Sequence, residues 1–511
     1  VLSPKASLSK NDMKPLYLTT TLPYVNSDPH IGFALEIVHA DIFARAARMQ
    51  GKEVFFNTGT DEHGQKIDEA ARKAGLDTQV YVDGYAEKFR GLKEVLGLSA
   101  DIHFVRTTDA AHKAAAQEFW RYCVKAGDIY KKQYQTKYCV GCELEKTDSE
   151  LEGGKCPIHP NMSIQLIDEE NYFFRYSKYQ QALLDLYAGK GPQPRLDFVV
   201  PDFRFNEIKA FVARGLEDFS ISRLKSKMSW GIPVPDQPAG EAEQVIYVWF
   251  DALVNYISTI GWPQDAAGAT ASFAKWWTEA GGVIQFAGKD QVRMQAAMWQ
   301  AMLMSATAGG AKGLVPSKQI VIHGFITSGG QKMSKSLGNV INPYDIVKEY
   351  GTDALRYFLA REVHPFEDSD VTLTRIKDAY NANLANGLGN LVSRVMKMAQ
   401  DNLPEPVAVT ATKKPIPSEF FTHLEKYEVS KAADYIWAEI ADMDKYIQTN
   451  QPFKVVKTDT LAGQTMISEL VTRLHLVASM LAPIMPETMI KMQEAIKANK
   501  APTTPLFLRK D

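Results

Sequence analysis

Residues 16–51 read LYLTTTLPYVNSDPHIGFALEIVHADIFARAARMQG. The opening LYLTTTLPY is short and rich in Leu, Tyr and Thr, the composition of a buried strand. VNSDPHIG is a turn, and FALEIVHADIFARAARMQG returns apolar residues at helical spacing. Residues 53–75, EVFFNTGTDEHGQKIDEAARKAG, repeat the order: an apolar strand, a Gly/Asp turn, then a helix. Two such units in succession predict an α/β fold with a Rossmann-like, doubly wound parallel sheet, whose ligands sit beyond the carboxyl ends of the strands.

Working outward, residues 14–120 form the first half of this sheet domain. Between 121 and 244 the pattern changes to short polar segments, a cysteine cluster and the proline-rich SWGIPVPDQPAGEAEQ, as expected of an insertion. The α/β pattern returns over 245–325 with VIYVWFDALVNYI, VIQFAGKD and QIVIHGFI. Residues 326–375 carry the loop KMSKS, and 376–511 read as an α-helical bundle, with ANLANGLGNLVSRVMKMAQ and TMISELVTRLHLVASMLAP amphipathic at helical period.

The totals are those of an ordinary globular chain: 511 residues, 45% hydrophobic, 23% charged, net charge -2. A nucleic-acid partner must then be met by local patches, since the overall charge gives no attraction. No apolar run is long enough to cross a bilayer. The leading VLSPKASLSKND has no apolar core and is not a secretory signal. Four cysteines are too few for a disulfide scaffold of this size, which points to a reducing, cytoplasmic setting.

Three of the four, with a histidine, make the pattern Cys139-x2-Cys142-x13-Cys156-x2-His159. Two chelating pairs of soft thiolates and an imidazole fit a closed, structural zinc site, and the glycines of VGC and EGGKC suit its tight turns. Cys123 is left over as an ordinary, half-buried thiol.

PHIG, Pro29 to Gly32, places His30 where a strand passes into a helix. Helix N-termini attract phosphate, an imidazole adds a donor there, and Gly32 lets a planar base approach the backbone. About three hundred residues on, SGGQKMSKSLGN puts Lys332 and Lys335 on a glycine-hinged loop able to close over the β and γ phosphates of a nucleotide.

These two motifs resemble the paired signatures of class I aminoacyl-tRNA synthetases. Within that class the chain resembles the methionyl-tRNA synthetases of bacterial type with a single zinc knuckle. The strings TLPYVNSDPHIG, NTGTDEHGQKI, YCVGCE, SISR, WGIPVP, YVWFDAL, GKD, VIHGF, KMSKSLGN, GTDALRYFL and LANGLGNLVSR carry the likeness from about Leu16 to the end of the helical region. Two positions depart from it. Phe33 replaces the last histidine of the first signature, and Gln295 stands where the family usually has a histidine lining the methionine pocket. Gln295 can donate an amide N–H but cannot titrate.

The resemblance implies ligation of methionine to the 3′-terminal adenosine of tRNA(Met), in translation and its initiation. Methionine offers an ammonium, a carboxylate and a thioether, so its site needs a carboxylate, apolar walls and a polar hydrogen for the sulfur. The matching positions are Leu22, Tyr24, Asp61, Trp249, Ala252, Tyr256, Gln295 and Trp299, with Asp61 for the ammonium and the Tyr24 and Tyr256 hydroxyls as candidates for the sulfur. For ATP, with Mg2+, it implies His30, Gly32, Gly288, Asp290, Ile326, Lys332 and Lys335, of which His30 and the two lysines are catalytic. The methionine carboxylate attacks the α-phosphorus in line, pyrophosphate leaves, and the terminal 2′-OH of the tRNA takes the methionine.

By the same resemblance 326–375 contacts the tRNA stem and 376–511 binds the anticodon. Asn390 and Arg394 are four apart on one helix face, and Phe453 offers a ring on which a base can stack. No further tRNA-binding domain follows the bundle in this sequence, so a monomer is expected. Three other readings fit fewer residues, one of them a small-molecule nucleotidyltransferase sharing the strand-end histidine motif, which leaves the helical bundle unexplained. A synthetase for leucine, isoleucine or valine needs a large editing insertion for which 121–244 has no room. A non-catalytic RNA-binding relative draws only on Phe33 and Gln295.

Overall fold

The structure, a computed structural model, describes residues 14–190, 194–264, 272–333, 338–409 and 415–511. Among them β1 (Leu16–Thr20), β2 (Val54–Thr60) and β3 (His103–Arg106) share one parallel sheet with Ile284–Gly288, Gln319–His323 and Val199–Val200. The order across the sheet is β3, β2, β1, Ile284–Gly288, Gln319–His323, Val199–Val200. Leu16 pairs with Val54 on one side of β1 and Leu18 with Ile284 on the other. The chain winds outward from β1 to β3, then starts again at the opposite edge of β1. That reversal opens a crevice beyond the carboxyl ends of β1 and Ile284–Gly288, the place where open α/β sheets hold ligands.

The β1 strand is shorter than LYLTTTLPY suggests, because Thr21–Pro29 leave the sheet to line this crevice. Helix α1 (Ile31–Met49) then packs on β1, β2 and Ile284–Gly288. Its alanines and Leu35, Ile37, Val38 and Ile42 are buried, and each large apolar side chain so placed contributes about 1.5–3 kcal/mol.

Two details differ from the reading of the sequence. Val199–Val200 lies within the stretch read as an insertion yet pairs with Gln319–His323 as the sheet's edge strand. Conversely, the strand Gln244–Ile246, of which Val245 and Ile246 open the stretch read as the return of the α/β sheet, pairs antiparallel with Ser222–Leu224 in a separate ribbon. A strand of two or three residues has too little period for its partner to be legible, and tertiary contacts choose it. The rest of the insertion holds a four-stranded antiparallel sheet built on the long ladder of Ile129–Cys139 with Gln165–Phe174, and the helices Gln180–Tyr187 and Asp202–Ala213.

Beyond Ser369–Asp370, the last described strand, the chain is helical. In Val429–Asn450 the buried residues Val429, Ala432, Ala433, Ile436, Trp437, Ile440, Met443 and Ile447 follow the helical period. The bundle shares one continuous core with the sheet domain. At their junction the fully buried Arg356 holds Asp41 of α1 at 2.9 Å and donates to the Leu96, Pro483 and Ile484 carbonyls at 3.0, 2.8 and 2.8 Å. No helix among the described residues is long and apolar enough to cross a membrane.

Candidate active site

His30 is the N-cap of α1, and its Nδ1 accepts the Gly32 N–H at 3.1 Å. This bond assigns the ring proton to Nε2, leaving a donor for an incoming oxygen. Dehydration of the ring and then the Lys332 ammonium lower the His30 pKa, so the imidazole is neutral at neutral pH. A side chain at position 32 would meet the His30 ring at 3.0 Å, with the Met333 methyl next at 3.9 Å, so the two signature motifs lie against each other.

Gly329 and Gly330, read as a hinge, have φ of +63° and +71° and join Ser328 to Gln331 in a tight hairpin. Two left-handed residues in a row suit a two-residue turn between antiparallel strands, where side chains are disfavoured. The Gly330 N–H donates to Asp370 at 2.7 Å, pinning the turn. Lys332 follows on the return strand, paired with Thr327. Lys335 falls outside the described residues.

Phe33 stacks edge to face on Phe89, ring centres 5.4 Å apart. It therefore turns from the crevice toward the helix Thr78–Val95, which removes a polar group from the first signature without leaving a gap. Gly288 closes its strand with Asp290 Oδ1 2.8 Å from where a Cβ would sit. Ile326 is buried beside them in Ile326–Ser328.

The residues expected to hold the amino acid fall in two parts. In the first, Tyr24 and Asp61 are backbone-bridged, the Val25 N–H donating to the Asp61 carbonyl at 3.2 Å and the Asp61 N–H to Pro23 at 3.0 Å. Asp61 is buried and its Oδ1 has no partner. Burial, then the neighbouring carboxyls of Asp251, Glu143 and Glu62, push its pKa well above the usual carboxylate range. A buried acid so placed awaits a cation. Trp249 stands nearby and donates its indole N–H to the Glu143 carbonyl at 3.2 Å. The Tyr24 hydroxyl donates to Glu143 Oε1 at 3.0 Å. Its proton is directed at that carboxylate in this structure.

In the second part Tyr256 and Trp299 meet edge to face at 5.8 Å, both buried, and the Trp299 Nε1 lacks a partner. Gln295, on the π-helical turn Met294–Met298, is buried; its Oε1 accepts from Gln285 Nε2 at 2.7 Å. Gln285 Oε1 in turn accepts from Ser317 at 2.7 Å. The Gln285 and Gln295 amides face the Tyr256 hydroxyl. With its oxygen so engaged, Gln295 turns its NH2 toward Tyr256. Ala252 lies on the short helix Val248–Leu253 between the two parts, while Leu22 is half-buried in the loop after β1.

The metal-binding reading fits. Cys139, Cys142, Cys156 and His159 bring their donor atoms within 4.8 Å of one another. Cys142 Sγ lies 3.4 Å from Cys156 Sγ and 3.2 Å from His159 Nδ1, and Cys139 Sγ lies 3.8 Å from that nitrogen. A tetrahedral zinc spaces its thiolates about 3.8 Å apart. Gly141 is required, since a Cβ there would come within 2.5 Å of the His159 ring. Cys123 is fully buried rather than half-buried, and burial pushes its thiol up to about 12.

In the bundle Asn390 is exposed, Arg394 pairs with Asp444 at 2.9 Å, and Phe453 is 42% exposed just after a left-handed Gln451 and Pro452. Sequence reasoning missed Glu143, Glu36 and His323. His323 Nε2 and Glu36 Oε2 are 2.8 Å apart, and Glu36 Oε1 accepts the Thr21 N–H at 2.7 Å, tying α1 to the crevice. His323 sits in VIHGF, Glu143 in YCVGCE and Glu36 in the helical stretch FALEIV, but a single polar letter carries no sign of its partner.

A switch-point crevice with a capping histidine, a lysine hairpin beside it and a following helical bundle define a class I aminoacyl-tRNA synthetase. The family described as "tRNA synthetases class I (M)" matches residues 16–165 and 160–396, and the "anticodon binding domain of methionyl tRNA ligase" matches 407–505. The methionine–tRNA ligase of Thermosynechococcus vestitus is 41% identical over 484 residues, 92% of this chain and 88% of the relative. That of Thermotoga maritima is 39% identical over 503 residues, 95% and 76% of the two chains. Among solved structures, Mycobacterium tuberculosis methionyl-tRNA synthetase in complex with methionyl-adenylate superposes with a TM-score of 0.84 at 34% identity, covering 98% of this chain and 99% of that one. The chain belongs to the methionyl-tRNA synthetase family.

Proposed function

We propose that this chain is a cytoplasmic, monomeric methionine–tRNA ligase: it activates L-methionine with ATP and transfers it to the 3′ end of tRNA(Met). The observation that carries the reading is Asp61, a buried carboxyl with an unpartnered oxygen, bridged to Tyr24 in the loop that leads from β1 to His30, where the two signatures meet.

Asp61 holds the methionine ammonium and so aims the carboxylate at the nucleotide. Trp249, Tyr256 and Trp299 wall the side chain, and the Tyr256 hydroxyl, its oxygen faced by the Gln285 and Gln295 amides, has its proton for the sulfur. His30 Nε2–H and the α1 N-terminus take a phosphate oxygen, with Gly32 leaving room for the approach. Gly288, Asp290 and Ile326 border the adenosine. The carboxylate oxygen forms a bond to the α-phosphorus as the bond to the bridging oxygen breaks, and Lys332 and Lys335 stabilise the charge gathering on pyrophosphate. Mg2+ arriving with ATP supplies further neutralisation. The 2′-OH of the terminal adenosine then attacks the mixed anhydride and releases AMP. Zinc on Cys139, Cys142, Cys156 and His159 is structural, as four protein donors leave no open position.

Asn390, Arg394 and Phe453 read the anticodon, Phe453 by stacking and Arg394 by exchanging Asp444 for a base edge. Charging of a tRNA(Met) transcript with labelled methionine tests the whole reading. The expected result is charging that falls at least tenfold when the anticodon is exchanged or Phe453 becomes Ala. Equal charging of any anticodon contradicts the bundle's role.

A further inference from the structure

We infer that Glu143 is a positioning residue that couples the metal knuckle to the amino-acid pocket; the inference rests on the pocket assigned above. Glu143 follows the ligand Cys142 directly, is buried, and has a left-handed backbone with φ of +52°. A non-glycine residue keeps that conformation only where its surroundings determine it. Here the Glu143 N–H donates to the Val140 carbonyl at 3.3 Å inside the Cys139–Cys142 turn.

From this fixed backbone the residue grips the pocket at several points. Its Oε1 accepts the Tyr24 hydroxyl at 3.0 Å and the Lys66 N–H at 2.9 Å. Lys66 is in the first turn of Gln65–Ala74, where a helix end favours an anion. Its Oε2 accepts the Tyr138 hydroxyl, and its carbonyl accepts the Trp249 indole at 3.2 Å. Gly64, with φ of +115°, makes room for the contact: a Cβ there would lie 2.2 Å from the Tyr24 hydroxyl and 3.1 Å from Glu143 Oε1. A second tie runs beside it, Lys66 Nζ donating to the Gly141 carbonyl at 3.4 Å.

Two walls of the amino-acid pocket, Tyr24 and Trp249, therefore hang on the residue next to a metal ligand. An ordered Cys139–Cys142 turn sets the Glu143 backbone, and Glu143 sets the two rings around Asp61. The consequence is that metal in the knuckle, a site with no part in the chemistry, tightens methionine without altering ATP.

The test measures methionine binding by equilibrium dialysis on the full chain, alongside metal content and circular dichroism. Glu143→Ala is expected to keep one zinc per chain and its ATP KM while losing methionine affinity about tenfold. Glu143→Gln, whose carbonyl oxygen can accept the same two bonds, recovers most of the loss. Chelation of the wild type reproduces the loss, and chelation of Glu143→Ala adds little to it. Unchanged methionine affinity in Glu143→Ala, or equal factors of loss on chelating both proteins, overturns the coupling. If Glu143→Ala fails to fold, Tyr24→Phe carries the test: chelation that costs Tyr24→Phe less methionine affinity than it costs the wild type supports the link, and equal factors of loss overturn it. Asp61→Asn separates the premises, since undiminished methionine binding in that variant overturns the pocket and this inference with it.

Discussion

His323 and Glu36 join the end of a central strand to α1 through a 2.8 Å contact between Nε2 and Oε2, both side chains nearly out of water. Burial works against the imidazolium, but the hydrogen bond to and charge of Glu36 outweigh it, so the His323 pKa is raised. The folded protein thus holds this proton more tightly than the unfolded chain. The stabilisation is fully present below the ordinary histidine value of about 6.5 and is lost as pH rises through the raised folded value. His323→Ala should cost about 1.5–3 kcal/mol at pH 6 and less at pH 9. Thermal melts across that range check it, and a cost that grows with pH contradicts the assignment.

Asp61→Asn should separate function from stability. The ammonium loses its counter-charge, raising the methionine KM about 100-fold, in line with truncating one side of a buried charge pair. The melting temperature should hold or rise, because an unpartnered buried carboxyl has gone. In the wild type, the raised pKa keeps Asp61 protonated above the usual carboxylate range. Methionine requires the carboxylate, so affinity should increase with pH through that raised value and binding should release a proton. Calorimetry in two buffers of different ionisation heat measures this release; none at any pH contradicts the pairing.

Gln295 offers a test of how sulfur is read. Gln295→Leu removes the N–H directed at the Tyr256 hydroxyl and leaves the Gln285 amide without its acceptor. Activation of methionine should fall roughly tenfold, a single hydrogen bond's loss with its orphaned partner. Norleucine, with a methylene for sulfur, should suffer less. Comparing kcat/KM for the two substrates decides the matter, and an equal fall for both shows that position 295 only fills space.

Lys332→Ala and Lys335→Ala should each slow adenylate formation about 100-fold with methionine affinity intact, the mark of a contact made to developing charge. Rapid-quench kinetics of adenylate formation measures the step. An equal loss in methionine binding contradicts the role.

Much of the architecture was legible where a pattern was long enough to have a period. The β1, turn and α1 stretch, the bundle helices and the Cys/His spacing each combine several residues under one geometric rule. The edge strand Val199–Val200 and the ribbon strand Gln244–Ile246 are too short for that, and their partners are set by distant contacts. At the site, His30 and Asp61 were legible from their motifs, whereas Glu143 read as an ordinary charge after a cysteine. Nothing in a linear sequence shows that Gly64 leaves the space that Tyr24 and Glu143 share. Arg394 likewise looked free for a base, and Asp444, fifty residues on, holds it.

The central claim is that Asp61 and the aromatic pocket select methionine for activation at the crevice. Amino-acid-dependent ATP–pyrophosphate exchange, run on the purified chain with methionine, leucine, isoleucine and valine, tests it most directly. The account predicts exchange with methionine alone, with the methionine KM raised about 100-fold in Asp61→Asn. Exchange with another of these amino acids, or none with any in a zinc-loaded, folded sample, contradicts it.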